Sequence, residues 1–194
     1  MSVPWGLVGL AGQSLNRLMH AVDAVSPYIT EVAEVQYMEG QRSLEDAQYA
    51  KKAGDRQAAE HYFRQAADHF ATSHDLSVRN VPRNRLARIS RNWGPLFESA
   101  NDARRQLYLS ASLSASFAAT CYSRAGNNRR AREWASNARE AFELYAEAEK
   151  SYHFANRSPV GHAIGDMHEI PDVSDVERRI NKERRELEQE LSDI

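Results

Sequence analysis

Apolar residues return every three to four positions along most of this chain, and that spacing predicts helices rather than strands. A first helix is expected over Gly6 to Val25, with Leu7, Leu15, Leu18, Val22 and Val25 near one face. Ser26 and Pro27 read as an N-cap and first helical position. They open a second helix to Ala53 that turns Ile29, Val32, Gln36, Leu44 and Ala47 inward, with Gly40 as a weak point. A third helix follows Gly54 and Asp55 and ends near Thr72 or Ser73. The stretch "HDLSVRNVPRNRLARISRNWGP" then breaks the pattern through Pro82, Gly94 and Pro95, with room for a short helix over Arg83 to Arg91. Pro95 opens a long helix to Ala125 carrying Phe97, Ala100, Ala103, Leu107, Phe117, Cys121 and Ala125, and another runs from Asn128 to Phe154. "NRSPVGHAIGDMHEIPD" reads as a linker. A charged helix from Ser174 to about Ser192 carries the stripe Val176, Ile180, Leu187 and Leu191, which must pack on something.

Two segments share a residue grammar. From Gly54, Ala59 falls at plus five, Tyr62 at plus eight, Ala66 at plus twelve and Phe70 at plus sixteen; from Gly126 the same offsets give Ala131, Trp134, Ala138 and Phe142. An alanine also stands seven residues before each glycine, at Ala47 and Ala119. Gly54 with Asp55, and Gly126 with Asn127, predict turns between two helices, because glycine accepts a left-handed backbone and Asp or Asn caps the helix that follows.

These segments resemble tetratricopeptide (TPR) repeats. The resemblance implies antiparallel helical hairpins in which small residues let the helices approach and the aromatic fills the space beside them. The glycines lie 72 residues apart, a little over two periods of about 34 residues, and the slot between them lacks the pattern. The expected fold is therefore all-α: TPR-like hairpins forming an elongated bundle, plus a C-terminal amphipathic helix. The expected organisation is a TPR-like helical domain over 1–156, a linker over 157–172 and a charged amphipathic helix over 173–194. By the same resemblance, Tyr49, Lys51, Asp55, Tyr122, Ser123 and Asn127 occupy positions that face a partner from the concave side. Asp55 and Ser123 break the basic set by which some TPR domains clamp a terminal carboxylate.

Composition adds exclusions. A net charge of -2 over 194 residues gives no global attraction to nucleic acid. With Cys121 as the only cysteine, no intramolecular disulfide and no thiolate zinc site can form, and a cytoplasmic, reducing location fits. The first twenty residues hold no basic residue before Arg17 and a short apolar run broken by Gly6, Gly9 and Gly12, which is neither a signal peptide nor a span.

The strongest local anomaly is electrostatic. Arg79, Arg83, Arg85, Arg88 and Arg91 lie between Leu76 and Phe97 without one carboxylate, and Trp93 follows as a stacking partner. Such a loop suits phosphate groups of nucleic acid or lipid, or an acidic protein. Membrane contact through residues 1–12 is a weaker alternative, because the polar face there lacks the usual cations. His162, Asp166, His168 and Glu169 sit in the linker without a ligand-orienting motif, so no metal is expected. Glu60, His61, Asp68 and His69 spread around a helix and read as surface. Ser110, Ser112, Ser114 and Ser116 lack a nucleophile elbow and read as close packing or a solvated face. No cofactor motif is present and no enzyme is expected. The expectation is an interaction adaptor or scaffold that binds a protein partner or itself in a helical groove. The alternative is a nucleic-acid-associated or assembly protein that uses the arginine loop.

Overall fold

The computed structural model describes residues 27–81, 95–156, 173–192 and 194, and those residues form five α-helices and no strand. The helices are α1 (Pro27–Lys52), α2 (Arg56–Asn80), α3 (Pro95–Arg124), α4 (Asn128–Asn156) and α5 (Val173–Leu191). The predicted first helix, the positions Arg83, Arg85, Arg88, Arg91 and Trp93, and the set His162, Asp166, His168 and Glu169 lie outside the described residues.

Two identical turns fold the chain into hairpins. Gly54 has φ +80° and Gly126 φ +75°, the left-handed region where a Cβ is strained. At the first turn Gly54 N–H donates to Lys51 O at 3.2 Å and Asp55 N–H to Ala50 O at 3.0 Å. At the second, Gly126 N–H donates to Ser123 O at 3.0 Å and Asn127 N–H to Tyr122 O at 2.8 Å. This double bond pattern is the Schellman motif, which satisfies the last carbonyls of one helix while the next residue starts another. With helices of 26, 25, 30 and 29 residues, the hairpins are elongated.

α1 pairs with α2, α2 with α3 and α3 with α4, while α5 lies on α3 and α4. Ala47, Ala59, Ala66 and Phe70 in the first hairpin, and Ala119, Ala131, Ala138 and Phe142 in the second, are all buried. The repeated offsets therefore mark the same packing positions in both. One core cluster joins α1, α2 and α3 with Ala131 of α4, a second joins α3, α4 and α5, and Trp134 and Ile194 pack on both.

Three sequence expectations need correction. α2 does not end near Ser73 but continues to Asn80, because its polar residues find partners across the interface. Ser73 Oγ donates to Ala33 O at 2.9 Å, and His74 Nδ1 lies 2.9 Å from Ala111 O. The inward face of α1 is also rotated: Ala33, Tyr37, Gly40, Ser43 and Ala47 are buried, whereas Val32, Gln36 and Leu44 are only half-buried. Gly40 is no weak point. A Cβ there would stand 2.8 Å from the Phe70 ring, so the missing side chain is what lets α1 and α2 close.

The C-terminal stripe docks within the chain. Val176, Ile180, Leu187 and Leu191 are buried against α3 and α4. Antiparallel to α4, α5 adds a ladder of polar pairs. Arg184 grips both oxygens of Glu143 at 2.9 and 2.8 Å, Arg139 Nε reaches both oxygens of Glu188 at 2.9 and 3.0 Å, and Tyr145 O–H donates to Glu183 at 3.1 Å. Near its end, partial burial and the neighbouring Glu186 raise the Glu190 carboxyl from 4.5 to about 7, against an opposing hydrogen bond with Ser116. The folded state thus holds the proton more tightly than the unfolded chain. Stability is greatest below the unfolded value and falls as pH rises through about 7. Glu190→Gln is expected to be more stable than the parent by about 1 kcal/mol at about pH 8, after discounting for solvent screening. Below about pH 4.5 the difference should vanish. Urea unfolding at the two pH values checks this, and a pH-independent difference would refute it.

Candidate interaction surface

The partner-facing positions read from the sequence have divided roles. Asp55 and Asn127 are helix caps: Asp55 Oδ1 accepts from Ala58 N–H at 2.9 Å, and Asn127 Oδ1 from Arg130 N–H at 3.3 Å. Tyr122 is not on an open face but buried in the core between hairpins, its hydroxyl donating to Asp68 and accepting from Arg130 at 3.0 Å. Burial first, then the Asp68 contact, pushes its phenol up to about 12. The Arg130 guanidinium also lies over the Tyr122 ring, 5.3 Å from its centroid. α2, α3 and α4 are thereby tied at one level, and this use of Asp68 was not visible from its own helix. Ser123 is half-buried. Tyr49 and Lys51 remain outward, with Tyr49 70% exposed and the Lys52 ammonium 5.8 Å from its ring centroid.

The outward face of α1 gathers further apolar surface. Val35 is 54% and Met38 40% exposed. Spacings of three and fourteen residues put Met38 and Tyr49 close to the angular position of Val35 on a helix of 3.6 residues per turn. Three of the four large apolar side chains exposed among the described residues thus share one face; the fourth is Val78 on α2. Polar residues of the same face are Arg42, Glu45 and Asp46, with Arg42 held by Glu39 at 2.6 Å. The sequence expectation missed Val35 and Met38. Their signal is that they fall outside the Ala33, Tyr37, Gly40 and Ala47 row, which itself needed the correct inward face.

Elsewhere the buried serines and His74 are committed to packing. Ser110, Ser112, Ser114 and Ser116 are all buried. Ser112 Oγ donates to Ala138 O at 3.0 Å, Ser114 Oγ to Ser73 Oγ at 3.3 Å, and the Ser77 and Ser110 hydroxyls stand 3.5 Å apart. Small hydroxyl residues let three long helices approach while satisfying their own polar atoms. His74 sits edge-on to Trp134, at 5.2 Å between ring centroids. Because a carbonyl only accepts, His74 must carry its proton on the Nδ1 that faces Ala111 O. Cys121 is buried, and that burial pushes its thiol up to about 12, so it is a packing residue rather than a nucleophile. His69 Nδ1 lies 2.9 Å from Gln36 Oε1, and Glu60 takes Arg56 at 2.8 Å. Arg79 is exposed on the last turn of α2. Among the described residues no group of three or more His, Cys, Asp or Glu could hold a metal, and no helix is long and apolar enough to cross a membrane.

No protein family, curated protein or solved structure matches the chain.

Proposed function

We propose that this chain is a non-catalytic, cytoplasmic scaffold built from TPR-like hairpins, which binds a protein partner or a second copy along α1. The observation that carries the reading is the exposed apolar face of α1, with Val35, Met38 and Tyr49 outward while the opposite face closes the core. Aromatic and Met side chains are enriched at protein interfaces, where Met adapts its shape to the surface it meets. The repeated turn motif and the two sets of buried alanines support TPR-like units, a geometry in which binding surfaces are presented by successive helices.

Capture from native lysate with and without nuclease, using the parent and a Val35→Asp/Tyr49→Asp variant, tests this. A protein held in stoichiometric amount by the parent in both halves and lost by the variant is the expected result. Recovery that collapses with nuclease, or that ignores the variant, would overturn it. The nuclease-sensitive outcome would move function to the arginine segment from Arg79 to Arg91.

A further inference from the structure

Exposure along α1 follows a fixed order. From residue 32 to the end of the helix the exposed side chains are Val35, Met38, Arg42, Glu45, Tyr49 and Lys52, with Asp46 and Lys51 beside them. The first six fall at spacings of three, four, three, four and three, which are the a and d positions of a heptad repeat. They form one narrow stripe roughly 25 Å long. Ala33, Tyr37, Gly40, Ser43 and Ala47 lie on the opposite side and close on α2. Any outward helical face shows such spacing, so the content of the stripe is what carries meaning. Val35 and Met38 stand at one end, and Tyr49 at the other, with the Lys52 ammonium 5.8 Å from its ring centroid. Arg42 and Glu45 lie between them with opposite charge, and Arg42 already holds Glu39 on its flank at 2.6 Å.

We propose that this stripe docks on the same stripe of a second copy of the chain, with the two α1 helices antiparallel. The inference rests on the scaffold reading and chooses among its partners. Charge selects both direction and register. In a parallel pair a meets a and d meets d, which would set Arg42 on Arg42 and Glu45 on Glu45. In an antiparallel pair with its two-fold axis at the level of Ser43 and Leu44, Arg42 of each copy faces Glu45 of the other. Met38 then faces Tyr49, and Val35 lies along the aliphatic stem of Lys52. The two-fold axis makes each of these contacts twice. A polar central layer specifies partner and register, while the apolar layers on either side supply the attraction. Arg42 is the only basic residue of α1 before Lys51, so the central match depends on it alone. Stable interfaces bury about 1,600 Å² in all. One helix stripe offers less, so the dimer should be a weak one.

The test is analytical sedimentation of the purified full chain from low micromolar to submillimolar concentration. The parent should pass from monomer to dimer within that range, and Val35→Asp/Tyr49→Asp should stay monomeric. Arg42→Glu or Glu45→Arg alone places like charges in the central layer, and each should weaken the dimer about tenfold or more. An equimolar mixture of those two variants should form a one-to-one dimer within a few-fold of the parent's affinity, because opposite charges again face each other. That rescue separates charge matching from damage to the fold. A parent that stays monomeric throughout, a dimer that survives Val35→Asp/Tyr49→Asp, or a mixture no tighter than its components would each overturn the proposal. A monomeric parent would leave the stripe to residues 1–26 of the same chain or to a different protein. Failure here is separable from failure of the scaffold reading. Stoichiometric capture of another protein through Val35 and Tyr49 by a monomeric parent would retain the scaffold and remove only the second copy.

Discussion

Glu149→Ala is expected to lower the stability of the chain by about 3 kcal/mol and to release α5 from its groove. Glu149 is 1% exposed, and its carboxylate is gripped from two sides, by Arg105 of α3 at 2.9 Å and by Arg179 of α5. A buried charge is tolerated when its partners satisfy it, and removing one member leaves the others desolvated and uncompensated. Two arginines would lose their common acceptor, of which Arg179 is the more exposed and so the better able to recover water. The loss should therefore fall at the low end of the range for broken buried pairs, about 3 to 5 kcal/mol. Since one of the two arginines belongs to α5, docking of that helix is coupled to the core of the second hairpin. Hydrogen exchange should show residues 173–191 losing protection in Glu149→Ala under conditions where α3 and α4 keep theirs. Unchanged protection of α5 would mean that its apolar stripe alone holds it. Replacing all three members by apolar residues should restore much of the lost stability, because the desolvated charges are then removed together.

An equally large effect is expected at the contact between α1 and α2. Phe70 is fully buried, stacked on Phe117 at 5.0 Å between centroids and edge-on to Tyr37 at 5.4 Å. Phe70→Ala should cost about 3 to 5 kcal/mol, combining the lost transfer of the ring with the cavity it leaves. Gly40→Ala is the sharper test. At an ordinary helix position that change stabilises by about 1 kcal/mol. Here the new methyl would stand 2.8 Å from one ring carbon of Phe70 and 2.9 Å from another. Overpacking of this kind costs about 1 to 3 kcal/mol, so the net change should be destabilising. Adding Phe70→Leu, which shortens the obstructing side chain, should make Gly40→Ala less costly than it is alone. Additive effects in that double-mutant cycle, or a stabilised Gly40→Ala single variant, would show that α1 can shift away from the ring.

Val35 and Gly40 show why one face of α1 was misassigned from the sequence. The apolar residues Ile29, Val32 and Leu44 outweigh Ala33, Gly40 and Ser43 in any count of hydrophobic positions. Yet the tight helix contact selects the small residues, because distance of approach decides the packing there. Ser73, His74 and Ser77 were lost for a related reason. They read as the end of a helix, but their hydrogen-bond partners lie on α1 and α3, 33 to 40 residues away. Tyr122 likewise occupies a position whose exposure depends on how the second hairpin meets Asp68 of the first.

What the sequence determined by itself is what local chemistry can enforce. Gly54 and Gly126 permit the left-handed turns, Asp55 and Asn127 cap the helices that follow, and the alanine offsets mark the faces that meet within each hairpin. These features need only neighbours a few residues away, so they are written in order along the chain. Only the tertiary structure decided which face of α1 turns outward, that Glu149 joins Arg105 of α3 to Arg179 of α5, and that Arg124 and Arg130 both reach α2. Each of those depends on the register between long helices. Register is fixed by the fit of many small side chains across an interface and not by the identity of any one of them.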